Sequence, residues 1–161
     1  MVIVVFGVTG AGKTRVGNVL AETLGWMFMD ADDFHEAANL SKLHRGIPLT
    51  DEDRRPWLTR LRGLIQKSLT QRRNVVLACS ALKRAYRRYL RVSPEVAFVY
   101  LRTETHVLEE RLKRRRGHFA DPVLLQSQLN TLEVPLDDTL TVDTTRTPAE
   151  IVEIIRKALH I

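Results

Sequence analysis

The sequence is poor in the features that mark secreted, membrane-spanning and base-stacking proteins. It has a single cysteine, Cys79, in 161 residues, which excludes an internal disulfide and any need for an oxidising compartment. No apolar run approaches the roughly 18 residues that indicate a transmembrane helix. Aromatic residues make up only 6% of the chain and are not interleaved with its basic clusters, as they are in single-strand binding platforms. We therefore expect a cytoplasmic protein whose partners include neither nucleic acid nor membrane.

Positive charge is what the chain has in excess, with a formal net charge of +6. Such an excess can indicate binding to nucleic acid or to phosphorylated small molecules. The length and an apolar content of 44% predict one globular domain over residues 1–161 with a single sizeable core. The short apolar start, Met1 to Phe6, is typical of a first strand rather than of a signal peptide.

Short apolar runs alternate with helical patterns along the chain, which predicts an α/β fold with a parallel sheet. Several runs are continuously apolar, as expected for strands that are buried on both faces. The five predicted strands are Val2–Phe6, Met27–Met29, Val75–Cys79, Val96–Leu101 and Leu140–Val142.

The predicted helices carry start and stop signals. One runs from Thr14 to Leu24, and a long one begins after Thr50 and ends near Gln71. The last opens with the capping box Thr147-Pro148-Ala149-Glu150. Asp33 is predicted to cap a helix over residues 34–43. The apolar stripes of these helices, Trp57 included, are interpreted as core.

The strongest chemical signal is an uninterrupted Walker A motif between the first strand and the first helix. Its glycines let backbone N–H groups turn inward and form a nest for phosphate oxygens, and the helix start adds positive potential. Lys13 should reach the β- and γ-phosphates, and Thr14 should hold Mg²⁺. The nucleotide-binding residues are Gly7, Val8, Thr9, Gly10, Ala11, Gly12, Lys13 and Thr14.

Carboxylates follow the second strand, and the signatures of other P-loop classes are missing. The chain has neither the N-K-x-D nor the D-x-x-G motif of GTPases. Asp30 and Asp32 are two residues apart, so in an extended segment they would point the same way. We expect Asp30 to help hold Mg²⁺ and Asp32 to accept the proton of an attacking hydroxyl. The alternative is that such aspartates only cap a helix.

Arg111 and Arg115 lie four residues apart on a predicted helix that runs into Gly117-His118-Phe119. An arginine-bearing helix beside a flexible loop is what a closing lid needs, because closure excludes water and brings guanidinium groups to the transferring phosphoryl group. We expect both arginines to bind ATP phosphates and to take part in catalysis. The alternative is a solvated basic helix end, which would explain Arg114 and Arg116 equally well.

Together these residues resemble the P-loop gluconate kinases, which are related to shikimate and adenylate kinases. Five blocks in the family's order cover nearly the whole chain. Glu36 stands where the family usually has proline, and Thr50 and Thr14 stand where it usually has asparagine and serine. The matching blocks are residues 7–14, 30–35, 46–58 and 78–87, and the stretch from Arg111 to Phe119 with Leu124–Gln128 and Leu132-Glu133.

The resemblance implies a three-layer α/β/α fold like that of the nucleoside monophosphate kinases, with a lid at about residues 112–130. It also implies ATP and Mg²⁺ as cosubstrates, D-gluconate as acceptor, 6-phosphogluconate as product, and a homodimer. It further places Asp32, His35 and His118 in the acceptor site.

The acceptor's carboxylate needs a cationic partner, and Arg54 and Lys83 are the candidates. Lys83 comes just past the third strand, and ligands in open α/β sheets gather at the carboxyl ends of strands. The acidic residues before Arg54 already satisfy the helix start. The alternative is that Arg54 pairs with Asp51 or Asp53 at the surface.

Two other functions compete with gluconate phosphorylation. A kinase for shikimate or another hydroxy acid would use the same phosphate machinery with a different acceptor pocket. A nucleotide- or nucleic-acid-binding module would use the basic clusters without phosphoryl transfer, but the Asp30/Asp32 pair and the predicted arginine lid argue against it.

Overall fold

The computed structural model describes residues 1–114, 122–135 and 139–161. Within these ranges no helix is both long and apolar enough to cross a membrane. The predicted lid at about 112–130 falls partly outside them, and Arg115 and His118 lie wholly outside. The elements are β1 (Val2–Phe6), α1 (Lys13–Leu24), β2 (Met27–Asp30), a 3₁₀ turn (Ala31–Phe34), α2 (Ala37–His44), α3 (Asp51–Thr70), β3 (Val75–Cys79), α4 (Arg84–Leu90), β4 (Val96–Arg102), α5 (Thr105–Arg114), α6 (Pro122–Thr131), β5 (Leu140–Asp143) and α7 (Pro148–Leu159).

The five strands form one parallel sheet in the order β2-β3-β1-β4-β5. Strand β1 lies at its centre, where Val2 is in register with Val75 on one side and Val96 on the other. All five predicted strands are confirmed, three of them one residue longer than expected. Because the strands are parallel, their carboxyl ends meet at one edge of the sheet, and the P-loop starts from the middle of that edge.

Both faces of the sheet are buried, as the continuous apolar runs predict. Ile3 and Val5 of β1 belong to one apolar cluster, which includes residues of α1, α5 and α7. Val2 and Val4 belong to another, which includes residues of α3 and α4. The sheet therefore lies between two helical layers, which confirms the α/β/α architecture.

The helix starts use the caps that the sequence predicts. Thr50 and Asp53 form a reciprocal capping box at α3, and Thr147 and Glu150 form another at α7. Each box satisfies two N–H groups that have no partner within the helix. Pro56 lies inside α3, one turn later than the position where proline is best tolerated.

The capping role of Asp33 was predicted wrongly. Asp33 lies within the 3₁₀ turn, and α2 starts only at Ala37, with Glu36 at the N-cap and no side-chain cap there. The residue that caps the turn is Asp30, whose side chain accepts a hydrogen bond from the N–H of Asp32. The chain thus bends straight after β2, and Asp30 and Asp32 are not in one extended segment.

Candidate active site

The P-loop between β1 and α1 depends on backbone conformations that only glycine adopts easily. Gly12 stands at the N-cap of α1 with φ of 93°. Gly7 has φ of 152°, and a Cβ atom there would lie 3.0 Å from the carbonyl oxygen of Leu101. The loop therefore lies close against β4, and its conformation suits N–H groups that turn toward a phosphate, although those of Thr9 and Ala11 donate to Gln128 Oε1 and Val8 O here.

The side chain of Lys13 is held against the P-loop by a backbone carbonyl of the loop itself. Its Nζ donates a 3.0 Å hydrogen bond to the carbonyl oxygen of Val8. The side chain also lines a cleft that borders the loop. This position is compatible with the predicted contact between the ammonium group and the phosphates of ATP.

Thr14 and Asp30, the two predicted metal ligands, are in direct contact. Thr14 Oγ1 donates a 2.8 Å hydrogen bond to Asp30 Oδ2, and Asp30 Oδ1 accepts the N–H of Asp32 at 3.1 Å. Asp30 therefore does cap the turn, as the alternative interpretation held, while its second oxygen faces the P-loop. Among the described residues, no group of three or more His, Cys, Asp and Glu side chains could hold a metal ion. One hydroxyl and one carboxylate do fit Mg²⁺, which usually takes few protein ligands together with substrate phosphates and water.

An open cleft of about 510 Å³, part of it continuous with solvent, lies beside the P-loop. It brings together predicted residues from three separate parts of the chain: the P-loop, the turn after β2 and α3. Its lining is Thr9, Lys13, Asp32, His35, Leu43, Leu49, Arg54, Trp57, Ser80, Leu124 and Gln128.

Asp32, the predicted base, reaches the cleft because of the 3₁₀ turn. Because the backbone turns here, Asp32 is directed away from Asp30, while Ala31 between them stays fully buried. Half of the Asp32 side-chain surface is exposed, and its Oδ1 lies 4.0 Å from His35 Nε2. The expectation that Asp30 and Asp32 point the same way in an extended segment is wrong, because Asp32 lies in the 3₁₀ turn. The role of Asp32 as the base stays a prediction.

The side chain of His35 is a buried titratable group of the cleft, with 5% of its surface exposed. Its ring stacks on Trp57 with centroids 4.5 Å apart and an angle of 9° between planes. Burial, and secondly the charge of Arg54, lowers the pKa of His35 from 6.5 to about 4. His35 is therefore neutral at pH 7, and its buried Nδ1 has no hydrogen-bond partner among the described residues.

Trp57 belongs to the core and to the site at once. It is 1% exposed, and its Nε1 donates a 2.7 Å hydrogen bond to the carbonyl oxygen of Ala31. This bond fixes the indole under His35 and ties α3 to the turn that carries Asp32. The interpretation of Trp57 as core alone was too narrow, because the ring also lines the cleft.

Arg54 and Lys83, the two candidate partners for a carboxylate, differ in position. Arg54 lines the cleft, and its Nη1 lies 3.4 Å from the Tyr86 hydroxyl. Lys83 is bound to Asp51, with its Nζ at 2.8 and 2.7 Å from the two carboxylate oxygens, and it is absent from the described lining. The Tyr86 hydroxyl also donates to Asp51.

The alternative interpretation of Arg54 as a surface ion pair finds no support in the described ion pairs. Asp51 is paired with Lys83, and this hydrogen bond is the main cause that holds the pKa of Asp51 below its usual value. Asp53 is paired with Lys42 at 2.8 Å and completes the cap of α3. Neither carboxylate forms a described ion pair with Arg54.

Arg111 of α5 contacts the P-loop on the side of the sheet that is away from β2. Its guanidinium donates to the carbonyl oxygens of Gly10 at 3.2 Å and Ala11 at 3.5 Å, and to Thr144 O at 2.9 Å. It therefore joins α5, the P-loop and the loop after β5. Whether it also touches ATP phosphates stays a prediction, as do the roles of Arg115 and His118.

Two polar residues of the described cleft lining, Ser80 and Gln128, were not among the predicted site residues. Ser80 directly follows β3, and that position at a strand end was the available signal. Gln128 lies one turn after Leu124 and one turn before Leu132, so it is a polar residue within an apolar stripe of α6. Its contact with the P-loop spans 119 positions, which no local pattern shows.

The P-loop, the adjacent carboxylates and the cleft that the loop shares with Asp32 and Arg54 are the arrangement of a small-molecule phosphotransferase of the P-loop class. Comparison with known proteins narrows this class. Residues 9–160 match the family described as Shikimate kinase. The "Gluconokinase" of Gluconobacter oxydans is 48% identical over 137 residues, which cover 84% of this chain and 77% of that protein.

Solved structures agree with the sequence relatives. A gluconokinase from Sinorhizobium meliloti is 44% identical with a TM-score of 0.82, covering 98% of this chain and 94% of that one. An unliganded sugar kinase from Janibacter sp. is 40% identical with a TM-score of 0.92, covering 99% and 94%. The chain thus belongs to the gluconokinases within the shikimate-kinase family of P-loop proteins, which confirms the resemblance seen in the sequence.

Proposed function

We propose that this protein is an ATP-dependent gluconokinase, which transfers the γ-phosphate of ATP to the terminal primary hydroxyl of D-gluconate. The observation that carries the proposal is the shared cleft of Lys13, Asp32 and Arg54. These side chains offer, in one place, a cation for the phosphate, an acceptor for a hydroxyl proton and a cation for the acid's carboxylate. The gluconokinase relatives support the choice of acid.

The nucleotide half of the site rests on the P-loop. Its inward-turning N–H groups and the start of α1 bind phosphate oxygens, and Lys13 adds a positive charge close to the γ-phosphate. Thr14 and Asp30 are the residues that would hold Mg²⁺, directly or through water. When bound, this ion neutralises phosphate charge. Membership in a kinase family implies ATP use.

The transfer itself needs a base beside the acceptor hydroxyl. We assign this role to Asp32: its carboxylate takes the hydroxyl proton as the oxygen bonds to the γ-phosphorus, and the bond from that phosphorus to ADP breaks. The products are 6-phosphogluconate and ADP. Half of the Asp32 side-chain surface is exposed, so the hydroxyl can reach it.

Arg54 is the favoured ligand for the carboxylate of gluconate. A guanidinium can bind both carboxylate oxygens at once, and such charge-assisted pairs are about twice as strong as neutral hydrogen bonds. Lys83 would first have to leave Asp51, to which both its short contacts go. Lys83 is therefore assigned a second place, at the outer rim of the acid's site.

Neutral His35 contributes hydrogen bonding rather than charge to the acceptor site. Its Nδ1 is buried and unpartnered within the described residues, a state that generally costs about 1–3 kcal/mol. A sugar hydroxyl that bonds to His35 would relieve this cost on binding. The cleft would then favour a polyhydroxylated acid over a simple carboxylic acid.

A substrate panel tests the proposal. ADP release is measured with gluconate, shikimate, glycerate, sorbitol or RNA as the added acceptor, at equal concentrations. Gluconate should give the highest kcat/KM, and uncharged sorbitol should be far poorer although it offers the same terminal hydroxyl. Preferred turnover of shikimate would assign the chain to the alternative acceptor, and acceptor-independent ADP release would argue against a sugar-acid kinase.

We also propose a homodimer, as the resemblance implies, and a location in the cytoplasm, as the single cysteine favours. Sedimentation at several protein concentrations tests the first statement, since a monomer-sized particle at micromolar concentration would contradict it. Fractionation of cells with an antibody to the native chain tests the second.

A further inference from the structure

Gln128 of α6 is the one polar side chain that this helix adds to the cleft lining. Its Oε1 accepts a hydrogen bond of 2.7 Å from the backbone N–H of Thr9 in the P-loop. Leu124, one turn earlier on the same face, also lines the cleft and is buried. Both α6 residues therefore belong to the same cleft lining as Asp32 in the turn after β2.

The P-loop contact determines which way the carboxamide of Gln128 faces. Only the oxygen of a side-chain amide can accept an N–H, so the NH₂ group must occupy the other branch. No described hydrogen bond uses that Nε2. Gln128 therefore offers two N–H donors at the cleft, beside the loop that receives the γ-phosphate.

The end of α6 is fastened, so the position of Gln128 is defined. The N–H of Glu133 donates to Leu82 O at 3.0 Å, and its Oε2 accepts the N–H of Arg84 at 2.6 Å. Buried Arg87 donates to the carbonyl oxygen of Glu133 at 2.7 Å. These bonds tie the chain just after α6 to the loop between β3 and α4.

We propose that Gln128 is a specificity-determining residue that distinguishes between acceptor sugar acids. Its Oε1 stays on the Thr9 N–H, and its Nε2 donates a hydrogen bond to a hydroxyl oxygen of the sugar acid bound between α6, Asp32 and Arg54. This inference rests on the proposed function, because it takes a polyhydroxylated acid as the occupant of the cleft. Because this donor is fixed to the P-loop, it would hold one hydroxyl of the acid at a defined position relative to the γ-phosphate.

Loss of a hydrogen bond to a neutral hydroxyl should raise the gluconate KM about 3- to 10-fold. A bond that reads one hydroxyl also discriminates between epimers. A bond that only anchors α6 would affect all sugar acids to the same extent.

The experiment measures kcat/KM for gluconate and for its epimers mannonate and galactonate in Gln128→Met and Gln128→Glu. Methionine keeps the length of the side chain but removes the donor. Glutamate keeps an oxygen for Thr9 and removes the donor, so it remains informative if the methionine variant folds poorly. Gln126→Met is the matched control, because Gln126 lies on the exposed side of α6 and bonds only to Asn130 among the described contacts.

The expected result is a preference for gluconate over at least one epimer that falls about 3-fold or more in both Gln128 variants and stays unchanged in the control. An unchanged ratio with equal losses for all acids overturns the inference and makes Gln128 an anchor. A rise confined to the ATP KM also overturns it and assigns Nε2 to the nucleotide. Wild-type protein that turns over no sugar acid overturns the proposed function itself, and the inference with it.

Discussion

The hydroxyl of Thr14 and the carboxylate of Asp30 are joined by a 2.8 Å hydrogen bond. Thr14 lies in the first turn of α1, and Asp30 ends β2, a strand that is separated from β1 by β3. The bond therefore connects the P-loop helix with the edge strand across the carboxyl end of the sheet.

Lys13→Ala should lower kcat by about 100-fold or more while the fold survives. The reason is that removing one positioned donor to developing charge usually has an effect of that size. The Lys13 contact within the loop is one hydrogen bond to a backbone carbonyl, so the melting temperature should change little. Steady-state kinetics and thermal melting check both parts, and wild-type turnover by a folded variant would contradict the assignment.

Asp32→Asn should lower kcat by about two to four orders of magnitude and leave ATP binding intact. Asparagine keeps the size of the side chain but cannot accept the hydroxyl proton. Asp33→Asn is the matched control, since Asp33 lies exposed in the same turn. If Asp30→Asn proved far more damaging than Asp32→Asn with ATP–Mg²⁺ binding unchanged, the roles of the two aspartates would be reversed.

Arg54→Ala should raise the gluconate KM much more than the ATP KM, by about 10- to 100-fold, because a charge-assisted bond to the carboxylate is lost. Arg55→Ala is the control. Arg55 is the next residue of α3 and pairs with Glu52 at the surface, where both side chains are largely exposed. Equal and small changes in the two KM values would contradict the assignment of Arg54 as the ligand of the gluconate carboxylate.

Arg111→Lys should weaken ATP binding and turnover about 10-fold, although the charge is kept. Lysine lacks the planar fork that reaches Gly10, Ala11 and Thr144 at the same time. Arg114→Lys, at the exposed end of α5, should behave like wild type. Nucleotide titration and kinetics decide between this role and a merely solvated helix face, which predicts no change for either variant.

His35 should make the protein less stable as the pH falls from about 6.5 to about 4. Over that range the unfolded chain binds a proton at this histidine and the folded chain does not, so protonation favours unfolding. The full effect is at most about 3 kcal/mol, since one pKa unit corresponds to about 1.4 kcal/mol. Above pH 6.5 this contribution is complete and constant.

Chemical unfolding of wild type and His35→Gln at several pH values measures this contribution. The variant should show a flatter dependence between pH 4 and 6.5, even if its overall stability is lower because the stack on Trp57 is lost. His106→Gln, at an exposed position of α5, should keep the wild-type slope. Parallel curves for wild type and His35→Gln would show that another group controls the acid range.

The sequence predicted the sheet and the phosphate loop well because both depend on local patterns. Continuous apolar runs identify strands that are buried on both faces, and the Walker A spacing needs only eight consecutive residues. The turn after β2 was harder, since a single 3₁₀ turn has no periodicity and Asp33 is a plausible cap. Its true geometry depends on the bond from the Trp57 indole to Ala31, which lies 26 positions away.

The acceptor half of the site depends on contacts that are distant in sequence. The pairing of Lys83 with Asp51 spans 32 positions, and it separates two candidates that looked equivalent in the sequence. The bond from Thr9 to Gln128 spans 119. Composition showed that a cation was available for the carboxylate, but only packing showed which cation faces the cleft.

The order of strands has a consequence for how activity is lost on heating. The proposed metal ligand Asp30 ends β2, and the proposed base Asp32 follows it. Strand β2 lies at the edge of the sheet and is only partly buried, whereas every residue of β1 and β3 is buried. Edge elements with little buried surface open more readily than central ones. Local fraying of β2 would therefore separate Asp30 and Asp32 from an intact P-loop, leaving a protein that still binds nucleotide after it has ceased to phosphorylate.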